Sequence, residues 1–259
     1  MVQGAKGLDI GTKTNTLYGL MKTIFVVMAS RNKARRTKMN CDKCNNTGWI
    51  IYTDQDGYEC ARECDCVKVK QSLARLERSG LSGLLDKYTF DRYKADYGFQ
   101  KDLLTKAKNY LNEKDKWFVV LGQSGAGKSH ICTAICSELL KKHEVRFMSW
   151  LTESVKLKQN VNNPEIYEPL MEDYKNCEIL YIDDFFKNKQ LSSADLRIAN
   201  EIINYRCVAN KRTILSSESL VKDLMEIDQA IIGRIIEMAE EYVTEIIGAE
   251  KNYRLRNWL

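Results

Sequence analysis

Eight consecutive residues, Gly122-Gln123-Ser124-Gly125-Ala126-Gly127-Lys128-Ser129, meet every fixed position of the pattern GxxxxGK[ST]. The glycines let backbone N–H groups curl around phosphate oxygens. Lys128 can reach the β- and γ-phosphates of a nucleotide, and Ser129 can place its hydroxyl on Mg2+. A helix that starts there adds the positive end of its dipole. A chance octapeptide has no reason to sit between an apolar run, Trp117–Leu121, and an amphipathic pattern over residues 128–142. The expectation is an ATP-binding loop over residues 122–129, with His130 directly after it.

A second stretch, Cys177–Asp184 (CEILYIDD), reads as a buried strand that ends in two acids. Paired carboxylates at such a place suit a cation. Asp183 is expected to hold Mg2+ through water, and Asp184 to polarise the attacking water as general base. Ser216 and Ser217 end another strand, where a hydroxyl can sense the γ-phosphate. Arg234 lies on a helical stretch, from which an arginine can reach a neighbouring subunit's phosphate.

Five of the nine cysteines crowd one segment. Cys41-x-x-Cys44 and Cys64-x-Cys66 bracket a hairpin pattern: a strand at Gly48–Tyr52, a turn at Asp56-Gly57 and a return from Tyr58. Two such pairs can meet as four thiolates on one tetrahedral Zn2+, a closed and therefore structural site. An iron–sulfur cluster and a set of free thiols are the alternatives, and Cys60 is a spare. Cys132, Cys136, Cys177 and Cys207 lie among apolar residues and read as core thiols.

The elements that must position these groups follow from hydrophobic pattern. Residues 1–38 read as a leader without clear order, 39–70 as the zinc-binding module, 71–99 as a connector and 100–259 as the ATPase domain. The connector's Tyr88, Phe90, Tyr93 and Tyr97 are expected to pack on the next domain. Strands are expected at Trp117–Leu121, Val145–Met148, Ile179–Ile182, Thr213–Ser216 and Tyr242–Ile247. Helices alternate with them: one before the first strand, one over 128–142, pieces over 153–175, one capped by Ser192 or Ser193, and one over 227–240. That alternation implies an α/β fold with a five-stranded, mostly parallel sheet between helices.

With 259 residues, 44% hydrophobic, the chain is long enough for a full core and a smaller module. The net charge of +5 permits contact with nucleic acid. The odd number of cysteines argues against a secreted disulfide framework and for a reducing cytoplasm. The apolar stretch Leu17–Ala29 is too short to span a bilayer, carries Lys22 and is followed by a basic run, so no membrane partner is expected.

Taken in order, several stretches resemble the DnaC/DnaI-type replicative helicase loaders, in the phage-associated form with an N-terminal zinc-binding module. They are CDKCNNTGWI with ECDC, SGLSGLLDKYTFDRY, WFVVLGQSGAGKSHICTAI, VRFMSWLTESVKLKQNVNN, ILYIDDFFK, NYRCVANKRTILSSESL, IDQAIIGRIIEMA and KNYRLR. The resemblance covers residues 39–259. It implies an AAA+ P-loop domain with Lys128 and Ser129 in Walker A and Asp183 and Asp184 in Walker B. It places the sensor-1 hydroxyl at Ser217, the arginine finger at Arg234 and a sensor-2-like arginine at Arg254. It further implies DNA contact by Lys156 and Lys158, self-association through the AAA+ domain, and as partners single-stranded DNA and the hexameric replicative helicase, with the N-terminal region as the helicase-binding part. The family usually has Gly-Ser before the box-VII arginine, where this chain has Ile232-Gly233.

The function implied is ATP-dependent loading of the replicative helicase onto single-stranded DNA, with weak ATP hydrolysis until DNA or a partner engages. Two other readings use the same motifs: a transposition helper ATPase of the IstB type, and a zinc-dependent adaptor whose nucleotide site is a static switch. The paired acids at Asp183 and Asp184 speak against the last, since a pure binder needs no general base.

Overall fold

A computed structural model describes residues 41–78, 81–187, 190–248 and 251–253. The leader, with its apolar Leu17–Ala29, and Arg254 lie outside the described residues. The chain divides into two compact units, Met1–Val67 and Lys68–Leu259. Among the described residues no helix is long and apolar enough to cross a membrane.

In the first unit β1 (Trp49–Thr53) and β2 (Glu59–Glu63) form an antiparallel hairpin in which Ile51 faces Ala61 and Tyr52 faces Cys60. Asp54 sets the turn: its Oδ1 accepts the N–H groups of Asp56 at 3.0 Å and Tyr58 at 2.8 Å. Helix α1 (Asp65–Arg78) follows the hairpin.

The second unit carries short α2 (Ser82–Leu85), a 3-10 turn at Phe90–Arg92 and α3 (Gly98–Tyr110) before its sheet begins. The sheet contains β3 (Phe118–Gly122), β4 (Val145–Ser149), β5 (Ile179–Asp183), β6 (Thr213–Ser217) and β7 (Val243–Ile246). All neighbours run parallel, in the order β4-β5-β6-β3-β7. Each strand expected from pattern is present, with no end moved by more than one residue.

The connecting helices are α4 (Lys128–Leu139), α5 (Trp150–Gln159), α6 (Pro164–Asn176), α7 (Ser193–Val208), α8 (Val221–Ile227) and α9 (Gln229–Ala239). Pro164 opens α6 at a position where the missing N–H costs nothing. Ser192 caps α7, and its hydroxyl and Asp195 exchange hydrogen bonds as a capping box. The helix expected over 227–240 is α9, which begins after extended Asp228 caps it by accepting Ile231 N at 2.9 Å; α8, just before it, was not expected.

Strand residues alternate between two cores. Phe118, Val120, Tyr181 and Ile214 face α3 and α4, whereas Val119, Leu121, Leu180, Ile182 and Leu215 face the layer of α5 to α9. The connector aromatics Phe90 and Tyr93 pack into the first of these cores. The result is three layers, helix–sheet–helix, with β3, β5 and β6 central and ending on one edge.

Candidate active site

The loop after β3 is built from backbone shapes that only glycine takes easily. Gly122 has φ +129 and lies so close to β7 that a Cβ would strike the Ile246 carbonyl. Gly127 sits at φ +88 as the N-cap of α4. Lys128, the first residue of that helix, is 6% exposed. Its Nζ donates to the carbonyls of Gly122 at 2.6 Å and Gln123 at 2.9 Å, so the ammonium lies over the loop itself. Burial pushes the Lys128 ammonium below its usual range, while Glu218, Asp184 and Asp183 pull it upward.

Three hydroxyls converge on one oxygen of Asp183, the last residue of β5. Tyr181 donates to Oδ1 at 2.8 Å, Ser129 at 3.3 Å, and Ser216 also donates to it. Ser129 and Asp183, 54 positions apart in sequence, are thus brought together, as hydroxyl and carboxylate holding one Mg2+ would be. A half-buried carboxylate that accepts three hydroxyls is held in one orientation.

Asp184 follows with φ +57, and Phe186 with φ +53, shapes that non-glycine residues adopt only when their surroundings hold them. The surroundings are the end of β6. Ser216 Oγ accepts Asp184 N at 3.2 Å, Ser216 O accepts Phe185 N at 2.8 Å, and Ser217 Oγ donates to Phe185 O at 2.6 Å. Phe185 and Phe186 stack on each other with centroids 3.9 Å apart, edge-on to Trp150. Of the two strand-end serines, Ser216 faces Asp183, whereas the Ser217 hydroxyl is turned to the Phe185 carbonyl. The Asp184 carboxylate meets Lys187 Nζ at 3.0 Å, and the same ammonium meets Glu218 at 3.1 Å. Neither Lys187 nor Glu218 stood out in the sequence.

The model of the family described as Novel STAND NTPase 3 matches residues 99–243, more than half the chain. YqaM of Bacillus subtilis (strain 168) is 30% identical over 215 residues, covering 76% of this chain and 68% of its own. The phage-like element PBSX protein XkdC of the same organism is 27% identical over 236 residues, 85% of this chain and 87% of its own. The replicative helicase loader DnaC of Escherichia coli (strain K12) is 25% identical over 171 residues, 64% and 68%. Among solved structures, DnaI superposes with a TM-score of 0.56 at 20% identity, over 63% of this chain and 93% of that one. The DnaC helicase loader superposes with a TM-score of 0.54 at 22% identity, over 63% and 98%. The chain belongs to the family described as Novel STAND NTPase 3. Its five-stranded parallel sheet between helices matches the AAA+ P-loop fold of the DnaC helicase loader.

In this domain the other expected residues lie at varied distances from the chemistry. His130 turns away from the loop and ties the connector to α4: its Nε2 bonds Thr89 O at 3.0 Å, and its ring stacks on Tyr88 and meets Tyr93 edge-on. A carbonyl only accepts, so Nε2 carries the proton. Burial holds the His130 pKa below its usual value of 6.5. Arg234, half-buried on α9, donates to the Ala230 carbonyl one turn back. On α5, Lys156 pairs with Glu153 at 2.6 Å, while Lys158 pairs with buried Asp195 at 2.8 Å and so ties α5 to α7. The C-terminal segment returns to the phosphate loop: Tyr253 N donates to Gly125 O at 3.0 Å, and Gln123 Nε2 donates to Gly248 O.

The four cysteines expected to share a zinc ion do come together. The Sγ atoms of Cys41, Cys44, Cys64 and Cys66 lie within 4.8 Å of one another, with Cys41–Cys64 at 3.7 Å and Cys44–Cys66 at 3.4 Å. A tetrahedral ion with metal–sulfur bonds of ~2.3 Å sets its sulfurs ~3.8 Å apart. The spacing therefore suits a single ion; a multi-iron cluster would spread the sulfurs further. Gly48 N–H and the neighbouring thiols bring Cys44 down to about 7 against the raising effect of burial. Cys60 stands apart, its thiol directed to Asp54 Oδ2 at 3.5 Å.

Proposed function

We propose that this protein is an ATP-dependent loader of the replicative DNA helicase onto single-stranded DNA. The observation that carries the reading is the meeting of Lys128, Ser129, Asp183, Asp184 and Ser216 at the ends of β3, β5 and β6, in a chain similar to DnaC over 171 residues. Backbone N–H groups of residues 122–129 and the α4 N-terminus receive the phosphates, and Lys128 leaves its loop carbonyls for the β- and γ-oxygens. Ser129 and Asp183 would hold Mg2+, which would supply positive charge against the phosphates. Asp184 takes the proton of the attacking water, with Ser216 or Ser217 as the polar group beside the γ-phosphate.

Arg234 serves a neighbouring subunit's nucleotide, which makes hydrolysis slow until copies line up on DNA. His130 supports the site by fastening the connector to α4, and Arg254 contacts the nucleotide from the C-terminal segment. Lys156 is the better placed of the two α5 lysines for DNA, since its partner Glu153 is on its own helix, whereas Lys158 is engaged by a buried acid. The cysteine module binds Zn2+ and presents the hairpin to the helicase.

The test is ATP hydrolysis with and without single-stranded DNA in wild type and Lys128→Ala, together with capture of purified replicative helicase against a transposase. Stimulated hydrolysis lost in Lys128→Ala, with helicase captured, is expected. Capture of the transposase alone assigns the chain to the transposition helpers instead.

A further inference from the structure

The ends of β5 and β6 are fastened to each other residue by residue. Ser216 holds Asp183 and Asp184, Ser217 holds the Phe185 carbonyl, and Glu218 holds Lys187. The first two links are buried or nearly so; the third is about one-third exposed on both sides. The outermost link is also the one that branches, because Lys187 Nζ lies 3.0 Å from Asp184 Oδ2 and 3.1 Å from Glu218 Oε1. One ammonium is shared by two carboxylates at nearly equal distance.

We propose that Lys187 is a latch on Asp184, and that its transfer to Glu218 frees the base for catalysis. This rests on the reading of Asp184 as general base. A carboxylate that takes a proton from water needs a lone pair aimed at the water and the basicity to receive the proton. An ammonium at 3.0 Å occupies one carboxylate oxygen and the lone pair the water would need. The turn that carries both groups is held at positive φ at Asp184 and Phe186, so the Asp184 backbone cannot move away from Lys187 without undoing bonds to β6. The side chain of Lys187 is the free variable: it has a long stem and two acceptors. Ion pairs this exposed are weak enough to exchange. Whatever moves the end of β6, the strand that carries the γ-phosphate-side serines, moves Glu218 and with it the choice of acceptor. Lys187 is thus a positioning residue, acting through Asp184.

The two acceptors give the test its sign. Lys187→Met keeps the stem and removes the charge; Glu218→Gln leaves Lys187 to Asp184 alone. Steady-state ATP hydrolysis without DNA or helicase, with fluorescent-nucleotide binding in parallel, is the measurement. Expected are a kcat raised about threefold or more in Lys187→Met, a kcat lowered about threefold in Glu218→Gln, and a KM within about twofold of wild type in both. Lys187→Arg stays near wild type. A kcat in Lys187→Met at or below that of wild type overturns the latch, including the case where both are silent, and so does movement of both variants in the same direction, which is what mere loosening of the turn gives. Hydrolysis that survives Lys128→Ala overturns the reading of the site itself, whereas hydrolysis abolished there but unmoved in Lys187→Met overturns only the latch.

Discussion

The phenol of Tyr181 donates to Asp183 Oδ1 at 2.8 Å from two residues back on the same strand. Both side chains point to the α4 face, because a strand repeats every second residue. Tyr181 is fully buried, and burial together with Asp183 pushes its hydroxyl pKa well up, so it stays a donor at any working pH. Tyr181→Phe removes one of three restraints on the carboxylate. A hydrogen bond to a charged group is worth about 1.5–3 kcal/mol, so Mg2+·ATP affinity should weaken by roughly tenfold. ATP affinity in excess EDTA should be unchanged. Equal losses with and without Mg2+ would mean that the phenol supports the core and not Asp183.

The cysteine module gives a prediction independent of the nucleotide site. Purified protein should carry one zinc ion per chain, released on titrating the thiols with a mercurial and read with a colorimetric chelator. Cys44→Ser should lose the metal and the hairpin's order, because a unit this small has little core apart from the site. Fluorescent-nucleotide affinity should stay within about twofold of wild type, while helicase capture falls. Full helicase capture by a metal-free Cys44→Ser protein counts against the hairpin as the docking part.

The partial burial of His130 predicts a dependence of stability on pH, against the opposing effect of its bond to Thr89. The folded-state pKa lies below the unfolded value of 6.5. Above 6.5 both states hold the neutral ring and the contribution is fully present. As pH falls through 6.5 the unfolded chain binds a proton that the folded chain resists, so stability drops until the folded ring is protonated too. Denaturant midpoints at about pH 7.5 and about pH 5.5 should therefore fall further in wild type than in His130→Gln. An equal fall in both proteins would assign the acid sensitivity to other groups.

Much of the site is legible in the sequence because it is local. The glycines of residues 122–127 answer to backbone shape, Lys128 and Ser129 open the helix that follows, and the CxxC and CxC pairs flank a hairpin that returns them to one place. The strands were visible because each is a short apolar run between turns. What was not legible depends on which strands become neighbours. Lys187 and Glu218 are 31 positions apart and meet only because β5 lies beside β6. Tyr181 looked like one more core aromatic, since pattern shows that a residue is buried but not that its hydroxyl has a charged acceptor. Helix α8 was not legible, because it spans only seven residues and fully buries only Leu224; Asp228, capping the helix after it, was the available signal of its end. Lys158 reads as a basic surface residue and proves to be tied to Asp195, whose burial nothing in the local sequence shows.

The central claim is helicase loading that uses ATP at Lys128 and Asp184. Its most direct test is delivery of purified replicative helicase to circular single-stranded DNA coated with single-strand-binding protein, read as helicase retained on the circle after gel filtration. The account predicts retention that requires this protein and ATP, and that is lost with Lys128→Ala. Retention unaffected by Lys128→Ala, or equal with no added protein, would contradict it.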